Sequence, residues 1–306
     1  MDQIGLLHRW GTIAVEGPDA AQFLHAQLTN DIVNLQANQV RLAGLCTAKG
    51  RLLGTFFAVR QSETVLLFTR ADVLPALVKR LSMFVLRSKC KVRDASTEFS
   101  LEFCRESAAE SGLQPMGATW SEDGSVVMHL RPQSTGSVPV IRARKAAANA
   151  AAPGPEADDV FEQALNELGL AYVSQATVEL FVPQAVNWDL VGGVSFSKGC
   201  YPGQEVVARS HYLGKVKRRS LRAQAPSAVP AGADVWLVGK DNEPVGQVVT
   251  AVFAGAQSEL LVELPLDEAT ASEARFEVRG EQESVPLTVL GMHYDVQAKG
   301  NLFEGQ

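Results

Sequence analysis

The sequence has little of what secreted, membrane-spanning and metal-cluster proteins are built from. Its 306 residues include only 4 cysteines, which form no CxxC pair and no Cys/His set with metal-ligand spacing, so no stably bound metal is predicted. No stretch holds the ~20 uninterrupted apolar residues that a membrane span needs. Residues 1–11 show no secretion signal. We therefore expect a cytoplasmic protein with reduced thiols and no membrane contact.

A broad cationic surface is also missing. The formal net charge is -6 at pH 7, with 46% hydrophobic and 20% charged residues. These values are typical of a globular protein and argue against nonspecific wrapping of nucleic acid, which needs an extended positive surface.

Short strand-like and helix-like runs are mixed along the chain, and this predicts an α+β fold rather than a doubly wound sheet. A hairpin turn is predicted at residues 48–51, and Asp72 is expected to cap a helix. Residues 160–168 are predicted to form another helix, ended by Gly169. After Arg219, five strand-like runs alternate with turns, which is typical of a small β-barrel or sandwich.

The segment 183–209 is the densest in special residues. Glycines precede a short predicted strand at 194–197, and a tight loop then leads into a helix that opens near Gln204. The positive end of that helix and the charge of Lys198 would favour a thiolate, so Cys200 is the best candidate for a reactive thiol. The alternative is an inert cysteine in a glycine-held turn.

Residues 198–205, Lys-Gly-Cys-Tyr-Pro-Gly-Gln-Glu, match the K-G-C-[FY]-x-G-Q-E motif of the YgfZ family, which is related to the glycine-cleavage T protein. Further matches lie at Pro183-Gln184, Asn187 and Val207-Ala208-Arg209. The N-terminal half agrees at Trp10, at residues 23–31 and at Ala48-Lys49-Gly50-Arg51. The chain thus resembles this family from about residue 10 to residue 219. The motif residues are Lys198, Gly199, Cys200, Tyr201, Gly203, Gln204 and Glu205.

The resemblance implies a three-lobed, aminomethyltransferase-like domain around a folate pocket, followed by a small C-terminal β-barrel. The implied boundaries are 1–218 (sub-lobes 1–95, 96–160 and 161–218), 219–296 for the barrel and 297–306 for a tail. A pterin needs an aromatic face and hydrogen-bond acceptors, and its glutamate tail needs cations. The family's R-x-E-x-G-x-P stretch survives here only as Glu167 and Gly169. The family's pocket tryptophans correspond to Trp10 and Phe161, which would supply the aromatic face. The candidate acceptors are Glu167, Asp31, Gln184 or Asn187, the candidate cations are Lys49, Arg51 and Arg209, and Glu205 is a further candidate contact. Each has a structural alternative, such as Trp10 in the core or Asp31 at the end of a helix.

The resemblance also implies a function. The family is associated with the upkeep of iron–sulfur enzymes, including those that modify tRNA, so transient iron–sulfur enzyme or assembly-factor partners are expected, with Cys200 essential. True aminomethyltransferases carry an R-D-x-L-R stretch and an Asn-Ala pair beside a catalytic aspartate, and this chain has neither. A folate-dependent one-carbon transferase is therefore the alternative, and enzymatic activity stays open.

The sequence also allows two other functions. Cys200 and His211 could form a hydrolase pair, although no third orienting residue is evident. A basic run could contact tRNA phosphates, but without interleaved aromatics it is more typical of a solvated surface or a folate-carboxylate clamp. The run consists of Lys215, Lys217, Arg218, Arg219 and Arg222.

Overall fold

The structure is a computed structural model that describes residues 5–107, 114–133, 135–145, 156–212, 216–240, 242–253, 255–271, 274–280 and 283–292. Lys215 and the predicted tail at 297–306 lie outside the described residues. The described part of the chain forms two compact units. The first draws on residues 1–46, 53–161 and 194–202, and the second on 47–52, 162–193 and 203–306.

One five-stranded sheet of the first unit has the order β3-β4-β5-β2-β6 among the described residues. Its strand β2 pairs antiparallel with β5 on one side, from Trp10–Arg70 to Glu16–Thr64, and with β6 on the other. Because β2 is central, all but its last residue are buried, as its apolar and β-branched composition predicts. The elements of this layer are β2 (Trp10–Glu16), α1 (Ala20–Gln27), β3 (Arg41–Cys46), β4 (Leu52–Gln61), β5 (Thr64–Arg70), α2 (Leu74–Phe84) and β6 (Lys91–Asp94).

A second five-stranded sheet of the same unit has the order β1-β7-β10-β9-β8 in the described residues and is antiparallel where its pairings are resolved. The long pairing between β7 and β10, from Phe99–Lys145 to Ser107–Ser137, organises it. Its strands are β1 (Gly5–Leu6), β7 (Phe99–Ser107), β8 (Gly117–Trp120), β9 (Val126–His129) and β10 (Ser137–Lys145).

An aromatic cluster forms the core between these sheets. The Trp10 ring lies edge-on to Phe161, with centroids 5.1 Å apart, and 6.0 Å from Phe57. Phe103 of the other sheet lies 5.2 Å from Phe161. Phe161 is fully buried on helix α3 (Glu156–Glu167), so this helix contributes its largest apolar side chain to the core.

The second unit contains a closed barrel with the order β11-β14-β13-β12-β15-β16. Val248, Val262 and Leu264 are among its fully buried residues. Because the barrel closes, its strands leave no open sheet edge. The elements of this unit include the 3-10 helices Gln175–Thr177 and Pro183–Val186, α4 (Gln204–Tyr212), β11 (Arg218–Ala225), β12 (Asp234–Leu237), β13 (Gly246–Phe253), β14 (Ser258–Pro265), α5 (Leu266–Ala269), β15 (Phe276–Arg279) and β16 (Ser284–Gly291).

Two local expectations were wrong. Asp72 does not cap α2, whose N-cap is Val73 without a side-chain cap bond; Asp72 instead lies 3.5 Å from the guanidinium of Arg70. Residues 194–197 form no strand, and the segment is held by the amide of Ser195, which donates to the carbonyl of Thr29 at 3.0 Å. The predicted barrel strands and the helix opening at Gln204 are present. Within the described residues, no helix has the length and apolar character to cross a membrane.

Candidate functional site

The loop that carries Cys200 belongs to the first unit and leaves this side chain exposed. The Lys198 ammonium donates to the carbonyls of Leu28 and Gly199, both at 3.1 Å. It also lies 4.6 Å from the centroid of the buried Tyr201 ring, within cation–π range. Lys198 therefore ties the loop to the end of α1 and is held close to the backbone beside Cys200.

The Lys198 ammonium is half-buried, and its pKa is lowered to about 8 because burial disfavours the charged form. The negative charges of Asp31 and Cys200 act in the opposite direction. At pH 7 the ammonium is therefore still mainly protonated, and it loses its charge in mildly alkaline solution.

A histidine that the sequence did not single out lies beside this loop. His25 Nδ1 is 3.0 Å from Asp31 Oδ1, and His25 Nε2 is 3.8 Å from the point that a side-chain carbon on Gly199 would occupy. Partial burial raises the pKa of Asp31, but hydrogen bonds from Asn34 and nearby positive charges outweigh it and lower the pKa overall. Asp31 thus stays ionised and orients His25 against the loop. His211, which the hydrolase alternative pairs with Cys200, belongs to the second unit.

The other three thiols are in different surroundings. Burial raises the pKa of Cys46 to about 12 and also raises the pKa of Cys104. Burial and the charge of Asp19 raise the pKa of the half-buried Cys90. Among the residues that the structure describes, no group of three His, Cys, Asp or Glu side chains is arranged to hold a metal ion. Cys200 is the exposed thiol of the four.

Two glycines of the second unit make a close backbone contact. Gly203 has φ +82°, and a side-chain carbon there would lie 2.4 Å from the Thr47 carbonyl oxygen and 2.7 Å from the Gly50 Cα. Gly50 has φ +72° and faces Val206 of α4 in the same way. Only glycine allows this combination of positive φ and close approach. The turn at 48–51 therefore packs against the start of α4.

Two amide side chains are buried in the second unit at the 3-10 helix Pro183–Val186. Gln184 Nε2 donates to the Val207 carbonyl at 2.6 Å, and Asn187 Nδ2 donates to the Ser220 carbonyl at 2.7 Å. Asn187 ends the 3-10 helix in the left-handed region, at φ +62°. Among the described residues, Gln184 Oε1 and Asn187 Oδ1 have no hydrogen-bond partner. Buried acceptors without a donor are costly, so these two oxygens are unusual in this part of the chain.

A buried ion pair lies next to these amides. The Arg219 guanidinium donates to both carboxylate oxygens of Asp189, at 2.5 and 3.0 Å, and to the Gln184 carbonyl at 2.9 Å. The exposed fractions of the two charged side chains are 5% and 6%. Arg218 forms a bidentate pair with Glu263. Two cations of the basic run are therefore engaged by carboxylates.

No protein-family model matches the chain, but it is similar to proteins of known name. The chain is 29% identical over 299 residues to the tRNA-modifying protein YgfZ of Klebsiella pneumoniae (strain 342), across 93% of this chain and 91% of that protein. It is 28% identical over 305 residues to the YgfZ protein of Photorhabdus laumondii, across 95% and 92%. The chain is similar to the YgfZ proteins over nearly its whole length. The predicted resemblance is thus confirmed.

The fold is confirmed by a solved structure. The glycine cleavage system aminomethyltransferase T from Bartonella henselae matches with a TM-score of 0.69 and 18% identity, over 94% of this chain and 84% of that one. The chain therefore has an aminomethyltransferase-like fold with a closed C-terminal barrel.

The YgfZ-type residues predicted from the sequence are divided between the two units. Trp10 and Phe161 are both buried in the aromatic core of the first unit. In the second unit, Glu167 is half-buried at the end of α3, whereas Lys49, Glu205 and Arg209 are exposed. The first unit holds Trp10, Asp31, Phe161, Lys198, Gly199, Cys200 and Tyr201, and the second holds Lys49, Arg51, Glu167, Gln184, Asn187, Gly203, Gln204, Glu205 and Arg209. Their roles as ligand contacts stay predictions.

A cavity of about 470 Å³ lies within the second unit, and this volume is in the range of small-molecule sites. Its walls include the apolar side chains of Phe181 and Val182 together with Gln184. Arg51 and Lys217 add positive charge to its lining. Arg51 also donates to the Leu180 carbonyl, which fixes its position.

Replacement of Gly203 by alanine is expected to destabilise the protein by about 1–3 kcal/mol or more, because the new Cβ meets backbone atoms at a positive φ. Urea unfolding measures this loss. Gly239→Ala is the matched control, since Gly239 has φ +88° but nothing within 4 Å of the new carbon. Equal losses of unfolding free energy in the two variants would show that the contact between Gly203 and the 48–51 turn does not contribute to stability.

Proposed function

We propose that the chain is a tetrahydrofolate-binding accessory protein that supports iron–sulfur enzymes of tRNA modification, with Cys200 as its functional thiol. The observation that carries the proposal is the exposed Cys200 on a loop held by Lys198 and flanked by the His25–Asp31 pair. The homologues named tRNA-modifying protein YgfZ support the biological setting.

With a single exposed thiol, this loop does not bind an iron–sulfur cluster by itself. Protein-bound iron–sulfur clusters usually take about four thiolate ligands, and Cys46 and Cys104 are buried. Cys200 therefore acts as one transient ligand or as a redox-active thiol, while a partner supplies the remaining groups. His25 lies beside this loop, and the Lys198 ammonium brings positive charge to its backbone next to Cys200.

The residues of the second unit fit a folate. Gln184 Oε1 and Asn187 Oδ1 are buried acceptors that the N–H groups of a pterin would satisfy. Arg51 and Lys217 line the neighbouring cavity wall with charge suited to the carboxylates of a glutamate tail. When bound, tetrahydrofolate supplies a reduced pterin that carries one-carbon units. Trp10 and Phe161 are packed against each other in the core of the first unit, so stacking on a pterin stays a prediction for them.

Titration calorimetry with 5-formyltetrahydrofolate tests this assignment. Gln184→Met removes one buried acceptor while it keeps the side-chain length, so we expect binding to weaken by about tenfold, the usual value of one hydrogen bond in a buried site. The control is Gln257→Met, because Gln257 is an exposed amide that contacts Glu259. Unchanged affinity in Gln184→Met, with the wild-type melting temperature, would place the folate elsewhere.

An assay of the same purified protein distinguishes the proposed accessory function from the alternative, a folate-dependent one-carbon transferase. Turnover of a methylene-tetrahydrofolate in the absence of any partner protein would assign a one-carbon transferase instead of an accessory protein. Binding without turnover is the result expected here.

A further inference from the structure

The segment from Val73 to Arg93 differs in charge from the rest of the chain. It contains no Asp or Glu, although the chain has 34 of them and a net charge of -6. The segment combines α2, a turn and the start of β6. We refer to its cations Lys79, Arg80, Arg87, Lys89 and Lys91, with its exposed apolar residues Met83, Phe84 and Leu86, as the basic strip.

The cations of the basic strip are available for a ligand. Lys79, Arg87, Lys89 and Lys91 are exposed, and none of them forms an ion pair with another described residue. Arg93, just beyond them, is instead neutralised by Glu16 and Glu98. Two acids lie beside the strip: the Asp19 carboxylate accepts from the Lys89 backbone amide at 2.6 Å, and Glu16 lies opposite Lys91 in the pairing of β2 with β6.

Large apolar side chains are interleaved with these cations. The exposed fractions are 62% for Met83, 40% for Phe84 and 87% for Leu86. Arg80 lies 5.2 Å from the centroid of the Phe84 ring. Leu86 also has φ +39°, a conformation that a leucine adopts only at a cost. Exposed apolar groups in a strained turn are features of interaction surfaces rather than of ordinary solvated loops.

We propose that the basic strip is an RNA-binding surface, and the choice of tRNA as its ligand rests on the function proposed above. Spaced, unpaired cations match a chain of phosphates, and unpaired bases of a loop stack on Phe84 and on the Arg80 guanidinium. The strip therefore differs from the basic run at residues 215–222, in which Arg218 and Arg219 are engaged by carboxylates.

An anionic membrane is the competing ligand for such a surface. Interfacial helices lie in the membrane with one continuous apolar face. On α2 the apolar residues Leu74, Leu77 and Leu81 are instead buried in the protein, and the exposed ones lie at the C-terminal end and in the turn. This arrangement favours a few stacked bases over insertion along the helix.

The test is fluorescence anisotropy with a labelled, unmodified tRNA transcript, over a series of salt concentrations. For Lys79→Glu/Arg87→Glu we expect at least about tenfold weaker binding, and a slope of log affinity against log salt that is smaller by about 2, because two phosphate contacts are lost. Lys240→Glu/Arg275→Glu makes the same change of charge at exposed positions beside barrel strands β12 and β15, and should leave binding near the wild-type value.

A second variant tests the apolar part of the surface. Phe84→Ser/Leu86→Ser should weaken binding by about tenfold without changing the salt slope, because stacking releases no counterions. All variants are first checked for the wild-type melting temperature and for affinity toward 5-formyltetrahydrofolate.

Three results would overturn the proposal. The first is no tRNA binding by the wild-type protein; the second is an equal loss in the barrel control. The third is binding of the wild type to phosphatidylserine vesicles, lost in the strip variants, without RNA binding. If folate binding and client support persist in any of these cases, the proposed function stands and only the RNA surface is wrong.

Discussion

Replacement of Cys200 by alanine is expected to abolish the support that this protein gives to an iron–sulfur tRNA methylthiolation. Cys200 is the exposed thiol, and its loop carries Lys198 in addition to the neighbouring His25–Asp31 pair. If the thiol is a transient ligand or a redox group, no neighbouring side chain can replace it, since Cys46 and Cys104 are buried and their pKa values are raised. We expect a complete loss rather than a graded one.

The measurement is the level of the methylthiolated tRNA nucleoside in cells that lack the gene and carry the wild type or a variant. Cys90→Ala is the matched control, because Cys90 is a half-buried thiol of the same unit and is neither a cation nor an exposed apolar residue of the basic strip. It should restore modification fully. Full rescue by Cys200→Ala, at normal protein abundance, would mean that the motif is only a structural loop. Folate turnover would then become the main hypothesis.

The Asp189→Ala variant is expected to lose about 3–5 kcal/mol of unfolding free energy, because it leaves the Arg219 charge buried without its counter-ion. Arg219 also donates to the Gln184 carbonyl, so its displacement disturbs the amide pair as well. Urea unfolding followed by circular dichroism measures the loss.

Two further variants separate the charge effect from packing. Asp189→Leu combined with Arg219→Met removes both charges and should recover most of the lost stability. The reason is that two apolar side chains of similar volume then replace a buried ion pair, which pays a desolvation cost. Asp159→Ala removes one side of the half-exposed pair with Arg9 and should cost about 1 kcal/mol or less. If Asp189→Ala is no more destabilising than Asp159→Ala, the buried pair contributes no net stability.

The sequence alone determined the structural features that depend only on residues close together in the chain. Alternating apolar positions and turn residues predicted the barrel strands after Arg219, and the hairpin turn at 48–51 was evident from its glycine. The eight-residue motif at 198–205 led to the YgfZ resemblance. These predictions succeeded because periodicity, turn chemistry and a contiguous motif are all written within a short stretch of chain.

Local pattern also misled, as Asp72 and Arg219 show. Asp72 has the composition of a helix cap, yet it pairs with Arg70, and the helix begins after Val73. Arg219 lies in a run of cations that is typical of a solvated surface, but strand β11 turns it inward onto Asp189, 30 residues earlier. The local sequence of a basic run does not indicate which of its cations will be buried in an ion pair with a distant carboxylate.

The tertiary structure alone decided which residues meet at the candidate site. His25 and the Lys198–Gly199–Cys200 loop are separated by more than 170 positions, and no spacing in the sequence relates them. The contact of Gly50 with Gly203 and the unpaired acceptors of Gln184 and Asn187 also arise only from long-range packing. The physical reason is that propensity and periodicity act over a few residues. The burial of a polar atom, by contrast, depends on all the chain segments that pack around it.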